Sequence, residues 1–213
     1  MPAADLSTEH RTTAALLLDE WEYGRPAGAS LVGPEVRDAF AALVAETLAS
    51  DADVNVDEAD IRYVLDGATG LGVGRGGGSG PHRAQQALAD AWRQWQAVDW
   101  CPAGQGRILL SILSLKEHDL DMDELTAISE ALQQATGPEW EMIFGHGVMP
   151  NQAEEMNLGF LLAPRALPEE IARHSTLRLA ALPPSSWPRP WPAGVPTLKW
   201  RSTGTTNGES LCG

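Results

Sequence analysis

The sequence predicts an α+β protein: a two-layer α/β sandwich in which helices pack on one sheet of about four strands. Three observations carry this. Segments of helical and strand-like period alternate from residue 55 to residue 165, which is the pattern of one sheet with helices laid on it. Most helical segments are bounded by capping residues, glycine or proline. Apolar residues make up 43% and charged residues 21% of the chain, the composition of a polypeptide that buries a core. At 213 residues, the length suits one such core with an arm and a tail. The expected division is an N-terminal helical arm (1–33), a folded domain (34–165) and a C-terminal tail (166–213).

Each element has its own reason. Residues Ser7 to Tyr23 open with a possible Ser7/His10 cap region and place Ala14, Leu17, Leu18 and Trp21 at helical spacing. Pro34 suits a first helical turn, and Val36, Phe40, Leu43, Val44 and Leu48 then form one face, stopped by the polar SDAD at 50–53. DEADIRYVLDG (57–67) is a short helix with Gly67 as its stop. TGLGVGRG (69–76) is a strand whose glycines allow close packing. In the next segment Ser79 and Pro81 stand at the cap and first-turn positions of a helix whose stripe is Ala84, Ala87, Leu88, Ala91, Trp92 and Trp95. GRILLSILS (106–114) has the length of a buried strand. Asp121 caps a helix with Leu125, Ile128 and Leu132 inward and Gly137-Pro138 as terminator. EWEMIFGHGVM and EMNLGFLLAPR are two further strands, expected as an antiparallel hairpin across a polar turn.

Charge and composition exclude several roles. A formal net charge of −14 repels nucleic-acid phosphates and anionic lipid, so neither nucleic acid nor membrane is expected as a partner. No stretch has the length and apolarity of a transmembrane helix, and the N-terminus is not built like a leader, so a cytoplasmic location is expected. Cys101 and Cys212 have no CxxC spacing, and the five histidines (10, 82, 118, 146 and 174) show no ligand spacing. No metal and no cofactor is expected. The acids Asp119, Asp121, Asp123 and Glu124 lack the frame of a calcium loop and suit a helix start. The tail is rich in proline, serine and glycine, yet holds Trp187, Trp191 and Trp200. These either pack back on the domain or form a partner-binding peptide.

VGRGGGSG, residues 73–80, followed by a helix, has the local chemistry of an anion cradle. Its neighbours favour a different reading. NVDEADIRYVLDG (55–67) resembles the catalytic loop and following helix of the FtsZ/tubulin superfamily, with Asn55, Asp57 and Asp60 at the polar positions of an N-x-D-x-x-D pattern. GRGGGSGPHRAQQAL resembles the family's glycine-rich strand running into S-G-x-x-R-A, through Ser79, Gly80, Arg83 and Ala84. HDLDMDELTAISEAL is similar to its D-L-T-L-x-E-V helix start, through Asp119, Leu120 and Glu124, and EMIFGHGV to its I-I-F-G strand. GQGRILLSILS and MNLGFLLAPR fall where two further strands of the family do.

The resemblance covers residues 36–165 and is to the C-terminal domain of FtsZ, standing without the GTP-binding domain. It implies that the glycine run is a packing element. It also implies that Asn55, Asp57 and Asp60 are the half of a GTPase site that one subunit offers to the nucleotide held by the next. A water molecule attacking a γ-phosphate needs an acid to orient it, which is the work such aspartates would do. The same two aspartates also suit simple helix capping, and both readings stay open at this stage. Two positions depart from the family pattern: Ala52 stands where the loop usually opens with glycine, and Glu58 replaces an apolar residue. The expected function is non-enzymatic. The chain binds a protein partner, an FtsZ or FtsZ-like GTPase, and caps or otherwise modulates its filaments. The alternatives are activation of GTP hydrolysis by a separate nucleotide-domain partner, or a scaffold that binds an unrelated protein through its tail.

Overall fold

The computed structural model describes residues 3–25, 29–99, 104–149 and 152–165. Trp187, Trp191 and Trp200, with Cys101, Cys212 and His174, lie outside the described residues. The elements are α1 (Ala3–Tyr23), α2 (Pro34–Ala49), β1 (Asp51–Val54), α3 (Glu58–Leu65), β2 (Leu71–Gly78), α4 (Arg83–Arg93), β3 (Gln96–Val98), β4 (Gln105–Ser114), α5 (Met122–Thr136), β5 (Trp140–Val148) and β6 (Met156–Arg165). The strands form one sheet in the order β1-β5-β4-β6-β2-β3.

The α+β sandwich is present. The sheet has six strands rather than about four, because two short edges, β1 and β3, carry too little periodicity to be legible. SDAD therefore does not merely stop α2: three of its residues begin β1. The expected hairpin of the last two strands does not form. β4 lies between them, parallel to β5 and antiparallel to β6. The physical reason is burial: β4 is buried from Gly106 to Ser114, a near-continuous run suited to the middle of a sheet. The β5–β6 connection passes over the end of β4, tied by Met149 N–H to Ser114 O (3.1 Å) and Leu115 N–H to Glu155 O (3.1 Å).

β4 sorts its side chains by period two. Ile108, Leu110 and Ile112 face α4 and α5, while Leu109 faces the cluster built by α1, α2 and α3. Helices thus cover both faces of the sheet, and α1–α3 add a layer to the expected pair. The α1 stripe of Ala14, Leu17, Leu18 and Trp21 is buried as expected, against α2 and α3. Trp21 Nε1 donates to Ala68 O at 3.1 Å.

The glycine run is β2 itself, and its even positions form a floor for α4. A Cβ on Gly76 would stand 2.3 Å from Ala91 N and 2.4 Å from Ala87 O, and one on Gly78 would stand 2.1 Å from Arg83 O. On Gly72 it would fall 1.8 Å from the Trp95 ring. The helix backbone therefore rests directly on the strand, and the small faces of Ala84, Ala87 and Ala91 complete the fit. Trp95 is not on the helical stripe, since α4 ends at Arg93; it folds over Gly72 in a cluster with Trp92 and Phe160. Ser79 does not cap α4. Its hydroxyl donates to Glu154 Oε2 (2.6 Å) and accepts from Glu155 N–H (3.1 Å), joining the end of β2 to the β5–β6 connection.

Arg83, buried at the start of α4, fixes the loop between β4 and α5. It donates to both Glu124 oxygens (2.8 and 2.7 Å) and to the carbonyls of His118 (2.8 Å) and Asp119 (2.6 Å). Asp121 and Glu124 form the capping box of α5. Hydrogen bonds from Arg83 hold the Glu124 carboxyl below its ordinary range against the opposing pull of burial, and the Asp121 N–H assists.

Two outcomes are expected. Gly76→Ala drives a methyl into helix backbone and costs about 3 kcal/mol in urea unfolding. Gly80→Ala, at φ +79° with open space around it, costs about 1 kcal/mol; equal costs would contradict the glycine floor. The lowered Glu124 carboxyl stabilises the fold fully above the ordinary carboxyl range, and that contribution is lost as pH falls through its lower folded value. Glu124→Gln should destabilise at neutral pH by about 1–3 kcal/mol and flatten the stability profile between about pH 5 and pH 3.

Candidate functional site

The polar loop from β1 to α3 is anchored by one apolar residue. Val56 is 2% exposed and lies over Gly145 of β5, where a Cβ would meet Val56 Cγ2 at 2.7 Å. Its neighbours Asn55 and Asp57 are exposed. Asp57 is the N-cap of α3: its Oδ1 accepts from Ala59 N–H (2.8 Å) and Asp60 N–H (3.1 Å). Asp60 reciprocates, its Oδ2 accepting from Asp57 N–H at 3.0 Å. The two aspartates thus form a closed capping box that rigidifies the turn. Each uses one carboxylate oxygen in the box and has no other hydrogen bond among the described residues. Glu58 pairs with Arg62 at 3.3 Å, one turn on.

α3 is held to the sheet by a second polar group. Arg107 of β4, 6% exposed, stacks 3.5 Å from the Tyr63 ring centroid and donates to Tyr63 O and to Glu141 Oε2. The Tyr63 hydroxyl donates to the same Glu141 oxygen at 2.9 Å. That hydrogen bond, then the one from Arg107, holds the Glu141 carboxyl below its ordinary range. Sequence reasoning missed this network, because Tyr63, Arg107 and Glu141 belong to three separate elements.

A third polar cluster unites residues that the sequence left scattered. His146, 7% exposed on β5, lies with its Nε2 3.0 Å from Ser114 Oγ at the end of β4. Its Nδ1 is 3.9 Å from Asp53 Oδ2, and its Nε2 is 4.0 Å from Asp119 Oδ1. Asp53 and Asp119 are both exposed. The absence of ligand spacing among the histidines was a statement about sequence neighbours. Only one of these three residues is a histidine, and the carboxylates arrive from β1 and from the β4–α5 loop. No local signal in the sequence marks the cluster.

No protein-family model and no curated protein matches the chain. Solved structures do. The chain is similar to an empty FtsZ dimer of M. jannaschii at 20% identity and TM-score 0.49, over 61% of this chain and 36% of that one. It is similar to TubZ from Bacillus thuringiensis serovar israelensis, in GDP-form protofilaments, at 15% identity and TM-score 0.49, over 69% and 42%. CetZ from Methanosaeta thermophila strain DSM 6194 is similar at 19% identity and TM-score 0.40, over 71% and 44%. The chain spans less than half the length of each of these relatives in structure. All three are proteins of the tubulin superfamily.

Proposed function

We propose that this chain works through protein contacts, offering the loop of Asn55, Asp57 and Asp60 to the nucleotide-bearing face of an FtsZ-type GTPase and so capping its filament. The observation that supports the reading is the loop itself. Of the three polar residues in the N-x-D-x-x-D pattern, Asn55 and Asp57 are exposed and Asp60 is half-buried; Asp57 and Asp60 are locked in the capping box, and Val56 anchors the loop. A preorganised loop loses little conformational entropy on docking, which favours binding. Tubulin-type contacts join unlike faces head to tail, so a bound chain that offers no second competent face ends growth. Capping the helix and meeting a partner are compatible, because each aspartate keeps one oxygen outside the box. Activation of the partner's GTP hydrolysis is the second reading, favoured by the same carboxylates if one of them orients the attacking water.

The experiment adds the full chain to a purified FtsZ-type GTPase with GTP and follows sedimented polymer and phosphate release. Capping lowers both at substoichiometric ratios. A rise in phosphate release identifies activation instead, and no change in either at equimolar protein sinks both readings.

Asp57→Asn separates the charge from the cap, because asparagine caps a helix about as well as aspartate. Stability should stay within about 1 kcal/mol of the parent while the effect on polymer falls. An unchanged effect on polymer would reduce the Asp57 carboxylate to a cap.

A further inference from the structure

We propose that His146, Asp53 and Asp119 bind one divalent transition-metal ion of the zinc class, at the edge of the sheet where β1, β5 and the β4–α5 loop meet. This inference does not depend on the filament reading.

Its first support is geometric. One ligand atom from each residue lies within 4.8 Å of the others. Around a tetrahedral ion with bonds of about 2.0 Å, donor atoms stand about 3.3 Å apart, so carboxylate movements of up to about 1.5 Å close the set. Asp53 and Asp119 are exposed and able to make that movement, whereas the imidazole is fixed by burial.

The second support is the state of the imidazole. His146 is more than nine-tenths buried, yet its Nδ1 makes no hydrogen bond among the described residues and faces the Asp53 carboxylate at 3.9 Å. The other nitrogen is 3.0 Å from Ser114 Oγ. The ring thus faces Asp53 through Nδ1 and both Ser114 and Asp119 through Nε2, and either nitrogen can supply the ligand lone pair when the other carries the proton.

The backbone brings the other ligands into place. β1 pairs with β5 through Ala52↔Gly147 and Val54↔His146, so Asp53 is the extra residue of a bulge, a device that re-aims a side chain. Asp119 is held through its carbonyl by Arg83 and through its Oδ1 by the Leu120 N–H at 3.2 Å.

The donor set selects the ion. One imidazole and two carboxylates suit zinc, cobalt or manganese better than magnesium, which prefers oxygen donors and keeps its waters. Three protein ligands leave a fourth position for water or for a group from another molecule.

The test is equilibrium dialysis of the full chain against Zn²⁺ and, separately, Co²⁺, with the Co²⁺ absorption spectrum and thermal unfolding as further readouts. The parent chain should bind each ion at this site and gain thermal stability. Asp53→Asn and Asp119→Asn change exposed side chains and should leave the metal-free unfolding temperature unchanged, while each weakens binding about tenfold or more. Binding that survives both substitutions together places the ion elsewhere and overturns the proposal, as does a parent chain that binds neither ion. His146→Ala removes a buried ring, so the decision rests on the aspartate variants.

Discussion

The contact on which the rest depends is the one between the bare face of β2 and the backbone of α4. Even-numbered positions 72 to 78 carry no Cβ: one added at Gly76 or Gly78 would stand under 2.5 Å from α4 backbone, and one at Gly72 or Gly74 under 2.5 Å from the Trp95 or Phe160 ring. Such an approach lets dispersion forces act between main chains and leaves no space for a ligand between them. It draws α4 down onto the sheet and gathers Trp92, Trp95 and Phe160 into one aromatic cluster. It also delivers Arg83 to the β4–α5 loop. A glycine run that resembles an anion cradle is thus spent on packing.

Of the polar anchors, Arg83 follows from that placement and the others stand on their own elements. Arg83 fixes the Asp119 loop, Arg107 fixes α3, and the capping boxes at Asp57/Asp60 and Asp121/Glu124 hold the first turns of their helices. The two arginines are paired and hydrogen-bonded where they leave solvent, which is the condition for keeping charge near a core. The loop and the histidine cluster are neighbours as well. Val54 and Asn55 alone separate Asp53 from Val56, so any force that holds Asp53 also restrains the loop that α3 begins.

Much of this was legible in the sequence because the signals are local. The α2, α3 and α5 faces follow from periodicity, Asp121 and Pro34 from capping chemistry, and the packing role of the glycine run from the family resemblance of the residues around it. The edge strands were not legible. β1 has four residues and β3 three, too short for any period to show, and both exist because a neighbouring strand offers them hydrogen bonds.

What the sequence by itself determined is the five helices and four longer strands and the three polar positions Asn55, Asp57 and Asp60, since capping and periodicity act over only a few residues. Tertiary structure alone decided that β4 separates β5 from β6, because that order depends on which strand is apolar on both faces relative to all the others. It alone decided that Asp53, Asp119 and His146 meet. A bulge, a clamped loop and a buried ring converge there only once the sheet has closed its register, and no short-range rule encodes that distance.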